Sequence, residues 1–200
     1  MIAALFAAGV RLFTGVQARW LGCEPDAAQR VYFANHTSNL DFLVLWSVLP
    51  AEARRKTRPV AASDYWRGGK LRLFLADRVF RGVLIERKKV TRSNNPMDQL
   101  VPVLQGGESL IIFPEGGRTT EPEMRPFKSG LYHLAKAVPA VDLVPVYIDN
   151  ANRVLPKGEF LPIPLLCSAN FGAPLRLQTD EPKDAFLTRA RAAVEALAEP

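Results

Sequence analysis

Apolar positions along the chain follow two periods. Short, nearly continuous apolar runs such as Leu110-Ile111-Ile112-Phe113 read as strands covered on both faces. Runs of this kind predict strands over Val31–Ala34, Pro59–Ala62, Gly82–Glu86, Ser109–Phe113, Asp142–Ile148 and Ser168–Phe171. Between them, apolar residues recurring three and four apart predict helices near Leu40–Leu49, Lys70–Phe80, Pro96–Gln105, Gly130–Ala137 and Lys183–Ala198. Alternation of the two periods predicts an α/β fold: one domain with a mixed, largely parallel sheet flanked by helices. The Pro-rich stretch Leu155–Pro164 reads as an irregular surface excursion.

The first 22 residues stand apart. Placed on a helix, residues 2–21 put Ile2, Leu5, Phe6, Gly9, Leu12, Phe13, Val16 and Trp20 on one broad face, with Arg11 and Arg19 at its polar edge. That pattern predicts an amphipathic interfacial helix over 1–22, followed by the domain over 23–200. A helix packed on the domain core has the same periodicity, so both readings stand. The apolar run Met1–Val10 falls short of the roughly 20 residues that a single spanning helix needs. It lacks the basic leader and cleavage site of a secretory signal.

Composition narrows the picture only slightly. With 200 residues, 48% apolar and 23% charged, the chain has the usage of an ordered domain. A formal net charge of +6 favours an anionic partner, whether a phosphate-bearing ligand, a nucleic acid or an acidic bilayer. No alternation of basic and aromatic residues suggests a nucleic-acid reader. Cys23 and Cys167 make no disulfide framework, and with His36 and His133 as the only histidines a metal centre is not expected.

Three polar clusters follow predicted strands, where ligands collect in open α/β sheets. Asn35-His36-Thr37-Ser38-Asn39-Leu40-Asp41 carries a histidine able to move protons near neutral pH. If His36 ends a strand and Asp41 opens the next helix, the chain can fold back so that the carboxylate supports the imidazole. The same spacing suits an ordinary capped helix start. Phe113-Pro114-Glu115-Gly116-Gly117-Arg118 ends a buried strand with glycines that permit close approach and an arginine suited to phosphate oxygens. A plain turn bearing solvated charges has that composition too. Glu86-Arg87 precedes Lys88, Lys89 and Arg92, a basic loop suited to a phosphate-bearing substrate or simply to solvent. Lys128 is a weaker cation candidate, and Arg54, Arg55, Lys56 and Arg58 form a basic patch.

In this order, the clusters resemble the glycerolipid acyltransferase family typified by lysophosphatidic acid acyltransferase (1-acylglycerol-3-phosphate acyltransferase). Asn35, His36 and Asp41 match its first motif, Glu86 and Arg87 the second, and Phe113, Pro114, Glu115, Gly116 and Arg118 the third. Val144, Pro145 and Val146 match the fourth. The resemblance covers roughly residues 30 to 150. It implies a glycerol-3-phosphate acyltransferase-like fold over 23–200 and a transfer from acyl-CoA or acyl carrier protein to a lysophospholipid hydroxyl. His36 would be the general base, Asp41 its support, and Arg87, Glu115, Gly116 and Arg118 the acceptor site. No cofactor, metal or nucleic acid is implied. The implied setting is the cytoplasmic face of the cell membrane, on an anionic surface, as a peripheral or monotopic protein. Glu86, Gly117 and Leu40 depart from the commoner residues at their positions, which bears on the identity of the acceptor. Another lyso-lipid or alcohol acceptor, and a non-catalytic basic membrane-binding module, are the competing readings.

Overall fold

In the computed structural model, which describes residues 2–66, 68–86, 94–119, 121, 123–151 and 166–198, the apolar runs pair into a single sheet. Its strands are β1 (Gln17–Trp20), β2 (Arg30–Ala34), β3 (Thr57–Ala62), β4 (Val83–Ile85), β5 (Ser109–Ile112), β6 (Asp142–Asp149) and β7 (Ser168–Phe171). They are ordered β1-β7-β6-β2-β5-β3-β4. From β6 to β4 every neighbour is parallel. β7 runs antiparallel to β6 and carries β1 parallel to itself.

Central strands bury both faces, which is why their sequences lack polar alternation. Every residue of β2 and β5 is buried. Val31 sits between Leu110 and Leu143, and these three share one core cluster. Tyr32 lies between Ile111 and Val144 in the other. The first cluster lies under helices α6 (Met97–Gln105), α7 (Gly130–Ala137) and α8 (Lys183–Glu195). The second lies under α1 (Ile2–Thr14) and α2 (Asp41–Val48). Helices on both faces of a mixed, largely parallel sheet are the arrangement expected from the sequence.

The N-terminal segment departs from expectation. One helix over 2–21 was the sequence reading, but α1 ends at Thr14 and residues 17–20 form β1. Gly15 turns the chain at φ +56, a conformation that suits glycine. Gln17 then takes up hydrogen bonding with Cys167, and Trp20 stacks on Phe171 at 3.8 Å between ring centroids. α1 packs on the core through the fully buried Ala7 and through Phe6, whose ring meets Phe80 edge-on. Its other side leaves Ile2, Leu5, Leu12 and Phe13 exposed. Thus the face read as one broad stripe is divided, part on the core and part uncovered.

The predicted helix Lys70–Phe80 is two windings: α5 (Lys70–Phe74) and a π-helical turn over Leu75–Val79. Two short helices, α3 (Ala51–Lys56) and α4 (Ser63–Trp66), flank β3 and were not foreseen. Leu155–Pro164 lies outside the described residues. None of the described helices is long and apolar enough to cross a membrane.

Candidate active site

Parallel neighbours run in one direction, so β2, β5, β3 and β4 all end at the same edge of the sheet. The segment after β2 carries Asn35, whose amide bridges to β6: its Nδ2 donates to Ile148 O at 2.9 Å and its Oδ1 accepts from Ile148 N at 2.8 Å. This clamp fixes where the chain leaves the sheet. His36 follows directly.

Asp41 is the first residue of α2, and its side chain turns back on the preceding loop. Asp41 Oδ2 lies 2.8 Å from His36 Nδ1 and also accepts the backbone N–H groups of Thr37 and Ser38 at 2.7 and 2.8 Å. The carboxyl is fully buried. A buried carboxylate needs such donors, and here they bind one oxygen from three directions. The ring nitrogen facing Asp41 is Nδ1, so a neutral imidazole carries its proton there and leaves Nε2 as the basic atom. Phe113 stacks on the imidazole at 4.3 Å with 22° between planes, holding the ring against rotation.

Glu115 acts on the same loop from the other side. The backbone N–H of His36 donates to its Oε1 at 2.7 Å, and that of Arg125 to its Oε2 at 3.1 Å. Burial pushes the Glu115 carboxyl above the ordinary carboxylate range, with those two N–H donors opposing the shift. Thr119 N–H donates to His36 O at 2.9 Å, adding a further tie between the two loops. The resemblance made Glu115 part of the acceptor site. The structure places it behind His36, outside the cavity wall, with both oxygens engaged by backbone.

A cavity of about 790 Å³ opens beside the histidine. His36, Gly116, Gly117, Arg118 and Glu86 all border it, so the loops after β2 and β5 meet there with the end of β4. Much of the remaining wall is apolar, including Phe6, Phe42, Trp66, Phe80 and Leu84. Arg118 is half-buried, lines the cavity and makes no ion pair among the described residues. Arg87 lies outside the described residues, while Glu86 just before it receives a hydrogen bond from Ser63 at 3.4 Å.

Gly116 has φ +72, and a Cβ there would come within 2.6 Å of Lys128 Nζ and Cε. The glycine thus makes room for the Lys128 stem to cross the turn. Lys128 N–H is held by Pro114 O at 2.8 Å, and its side chain borders the cavity near Arg118. The closeness of Lys128 to Gly116 is a tertiary contact, which the local sequence does not reveal. The roles of Asn35 as a clamp and Phe113 as a ring support were likewise hidden.

Burial pushes the Cys167 thiol up to about 11, so it is a poor nucleophile near neutral pH. Among the described residues there is no cluster of three or more His, Cys, Asp or Glu side chains that could hold a metal. What the arrangement supplies is a histidine backed by a buried carboxylate, facing a largely apolar cavity whose lining includes Arg72, Arg118 and Lys128. A histidine held in this way has the chemistry of a general base, and a cavity of this lining has room for both apolar and anionic groups.

The model of the family described as Acyltransferase matches residues 24–149, and the chain belongs to that family. Among its relatives, 1-acyl-sn-glycerol-3-phosphate acyltransferase alpha from Homo sapiens is 30% identical over 138 residues, covering 68% of this chain and 46% of the human protein. The 1-acyl-sn-glycerol-3-phosphate acyltransferase of Saccharomyces cerevisiae is 29% identical over 155 residues, covering 73% and 47%. The chain spans about half the length of these curated relatives. The crystal structure of the 1-acyl-sn-glycerophosphate (LPA) acyltransferase PlsC from Thermotoga maritima shares the fold, with a TM-score of 0.74. That match covers 99% of this chain and 78% of the other at 19% identity.

Proposed function

We propose that the protein moves a fatty acyl group from a thioester to the free hydroxyl of a lysophospholipid, with 1-acylglycerol-3-phosphate as acceptor and phosphatidic acid as product. The observation that carries this reading is the His36–Asp41 pair at the edge of an apolar cavity rimmed by Arg118 and Lys128. The relatives named above, each an acyltransferase by name, support the same chemistry.

In this reading His36 Nε2 takes the proton of the acceptor hydroxyl as its oxygen attacks the thioester carbonyl. Asp41 steadies the imidazolium that forms. Collapse of the tetrahedral intermediate breaks the carbon–sulfur bond, and the proton on His36 passes to the leaving thiolate. No enzyme-bound acyl group is needed, in keeping with the raised thiol of Cys167. Arg118 and Lys128 hold the acceptor's phosphate, and Gly116 lets the chain approach it closely. Glu115 serves as a positioning residue, fixing the backbone at His36 and Arg125. Arg87 remains a further phosphate ligand in this proposal. The donor is acyl-CoA or acyl carrier protein, and no cofactor or metal takes part. The working surface is an anionic membrane, on its cytoplasmic face.

The test is acyl transfer from radiolabelled acyl-CoA and acyl carrier protein in detergent, comparing lysophosphatidic acid with monoacylglycerol. The reading expects the phosphorylated acceptor to be preferred. It also expects Arg118→Ala to raise the KM for lysophosphatidic acid roughly tenfold or more, as loss of a charge-assisted contact implies. Monoacylglycerol turnover should change little. Equal use of both acceptors, with Arg118→Ala indifferent, would move the assignment to a non-phosphorylated alcohol.

A further inference from the structure

Helix α5 is unusual in burying none of its five residues, although three of them, Leu71, Leu73 and Phe74, are large and apolar. A helix this short gains almost nothing from its own hydrogen bonds and normally owes its place to packing of an apolar face. Here that face has no covering partner among the described residues: Leu71 is 71% exposed. Among the described residues nine large apolar side chains are exposed, and seven belong to α5 and α1. Such clustering marks an interaction surface, unlike apolar side chains scattered singly.

The two helices border the same cavity. Phe6 of α1 and Arg72 of α5 both line it, and Phe6 meets Phe80 just beyond the π-helical turn that continues α5. Neither helix contains an acidic residue, while Arg11 lies on α1 and Lys70 and Arg72 on α5. Arg78 follows in the π-helical turn, where it pairs with its exposed neighbour Asp77 at 3.6 Å. An apolar face edged with cations fits the boundary between acyl chains and anionic head groups.

We propose that α5 is a second bilayer-inserting element, which with α1 seats the cavity mouth on an anionic membrane so that lipid passes between the two. Resting on the proposed lipid substrate, this adds an element that the N-terminal pattern did not suggest. It commits the uncovered face to lipid rather than to a second copy of the chain.

The experiment is co-sedimentation of the full chain with vesicles of phosphatidylcholine, with and without phosphatidylglycerol. The proposal expects the double substitution Leu71→Glu, Phe74→Glu to weaken binding to the mixed vesicles by roughly tenfold or more, since two apolar side chains leave the bilayer. Lys70→Glu should lower binding to the anionic vesicles alone. Transfer between short-chain, water-soluble substrates should be retained by the double variant. Phe74→Trp gives a readout that introduces no charge: brominated lipid should quench its fluorescence beyond the quenching seen in wild type. Wild-type binding by the double variant, or no added quenching in Phe74→Trp, overturns the proposal. So does a lipid-free dimer that the double variant converts to monomer while vesicle binding is unchanged. Absence of acyl transfer by wild type would instead overturn the enzymatic reading, and vesicle binding would still judge this one.

Discussion

Asp41 Oδ2 gathers three donors, from the His36 ring and from the backbone of Thr37 and Ser38, while its Oδ1 is buried without a partner among the described residues. The carboxylate therefore shapes the loop as well as orienting the imidazole. An amide at this position is neutral, so it gives no charge to stabilise the imidazolium and can turn an NH2 toward one of the donors. Asp41→Asn is expected to lower kcat by about a thousandfold with a much smaller change in KM, within the range of general-base effects. Steady-state kinetics over a range of acceptor concentrations would check the split. Glu115 makes a pH-dependent prediction. Its carboxyl holds a proton to higher pH in the folded chain than at its ordinary value of 4.5, so the folded state binds more protons in that interval. The stability of wild type relative to Glu115→Gln should then fall as pH rises from 4.5 through the raised value, and level off above it. Urea unfolding of both proteins across that interval measures the difference, and a rise would contradict the burial argument.

Among the elements, α1 and β1 owe their separation to Gly15. A side chain there would meet both a positive φ and Leu166 Cδ2 at 2.5 Å. Gly15→Ala should destabilise the protein by about 1–2 kcal/mol, measurable as a shift in the unfolding midpoint. The sequence pattern missed β1 because Gln17-Ala18-Arg19-Trp20 is a short edge strand whose one large apolar residue, Trp20, continues the helical stripe of α1. Arg54 presents a similar case, read as part of a basic surface patch but buried. Its Nη1 donates to Ser47 O and Leu49 O at the end of α2, and its guanidinium lies 5.5 Å from the Trp46 ring. Desolvation lowers its pKa below the ordinary arginine range, with Arg11 and Arg55 acting the same way. Arg54→Met keeps much of the packing but leaves two buried carbonyls without this donor, and should cost about 1–3 kcal/mol by thermal unfolding. Nothing in the local pattern separates such an arginine from Arg55 beside it.

Across the whole molecule, the most legible features were those set by burial on both faces. Six strands of the seven follow from their apolar runs, and β2 and β5 place His36 and Glu115 because parallel neighbours end together. The His36–Asp41 contact was legible from local chain geometry, five residues spanning a strand end and a helix start. Contacts between distant segments were not, as with Glu115 bonding to His36 N and Lys128 crossing Gly116. Residue types named these groups, but only the packed sheet assigned them to the backbone or to the cavity. The account stands on His36 as the base. Its most direct test is the rate of acyl transfer from acyl-CoA or acyl carrier protein to lysophosphatidic acid, measured for wild type and for a folded His36→Ala variant. A loss of about 100-fold to 10,000-fold is predicted; equal rates would contradict the account.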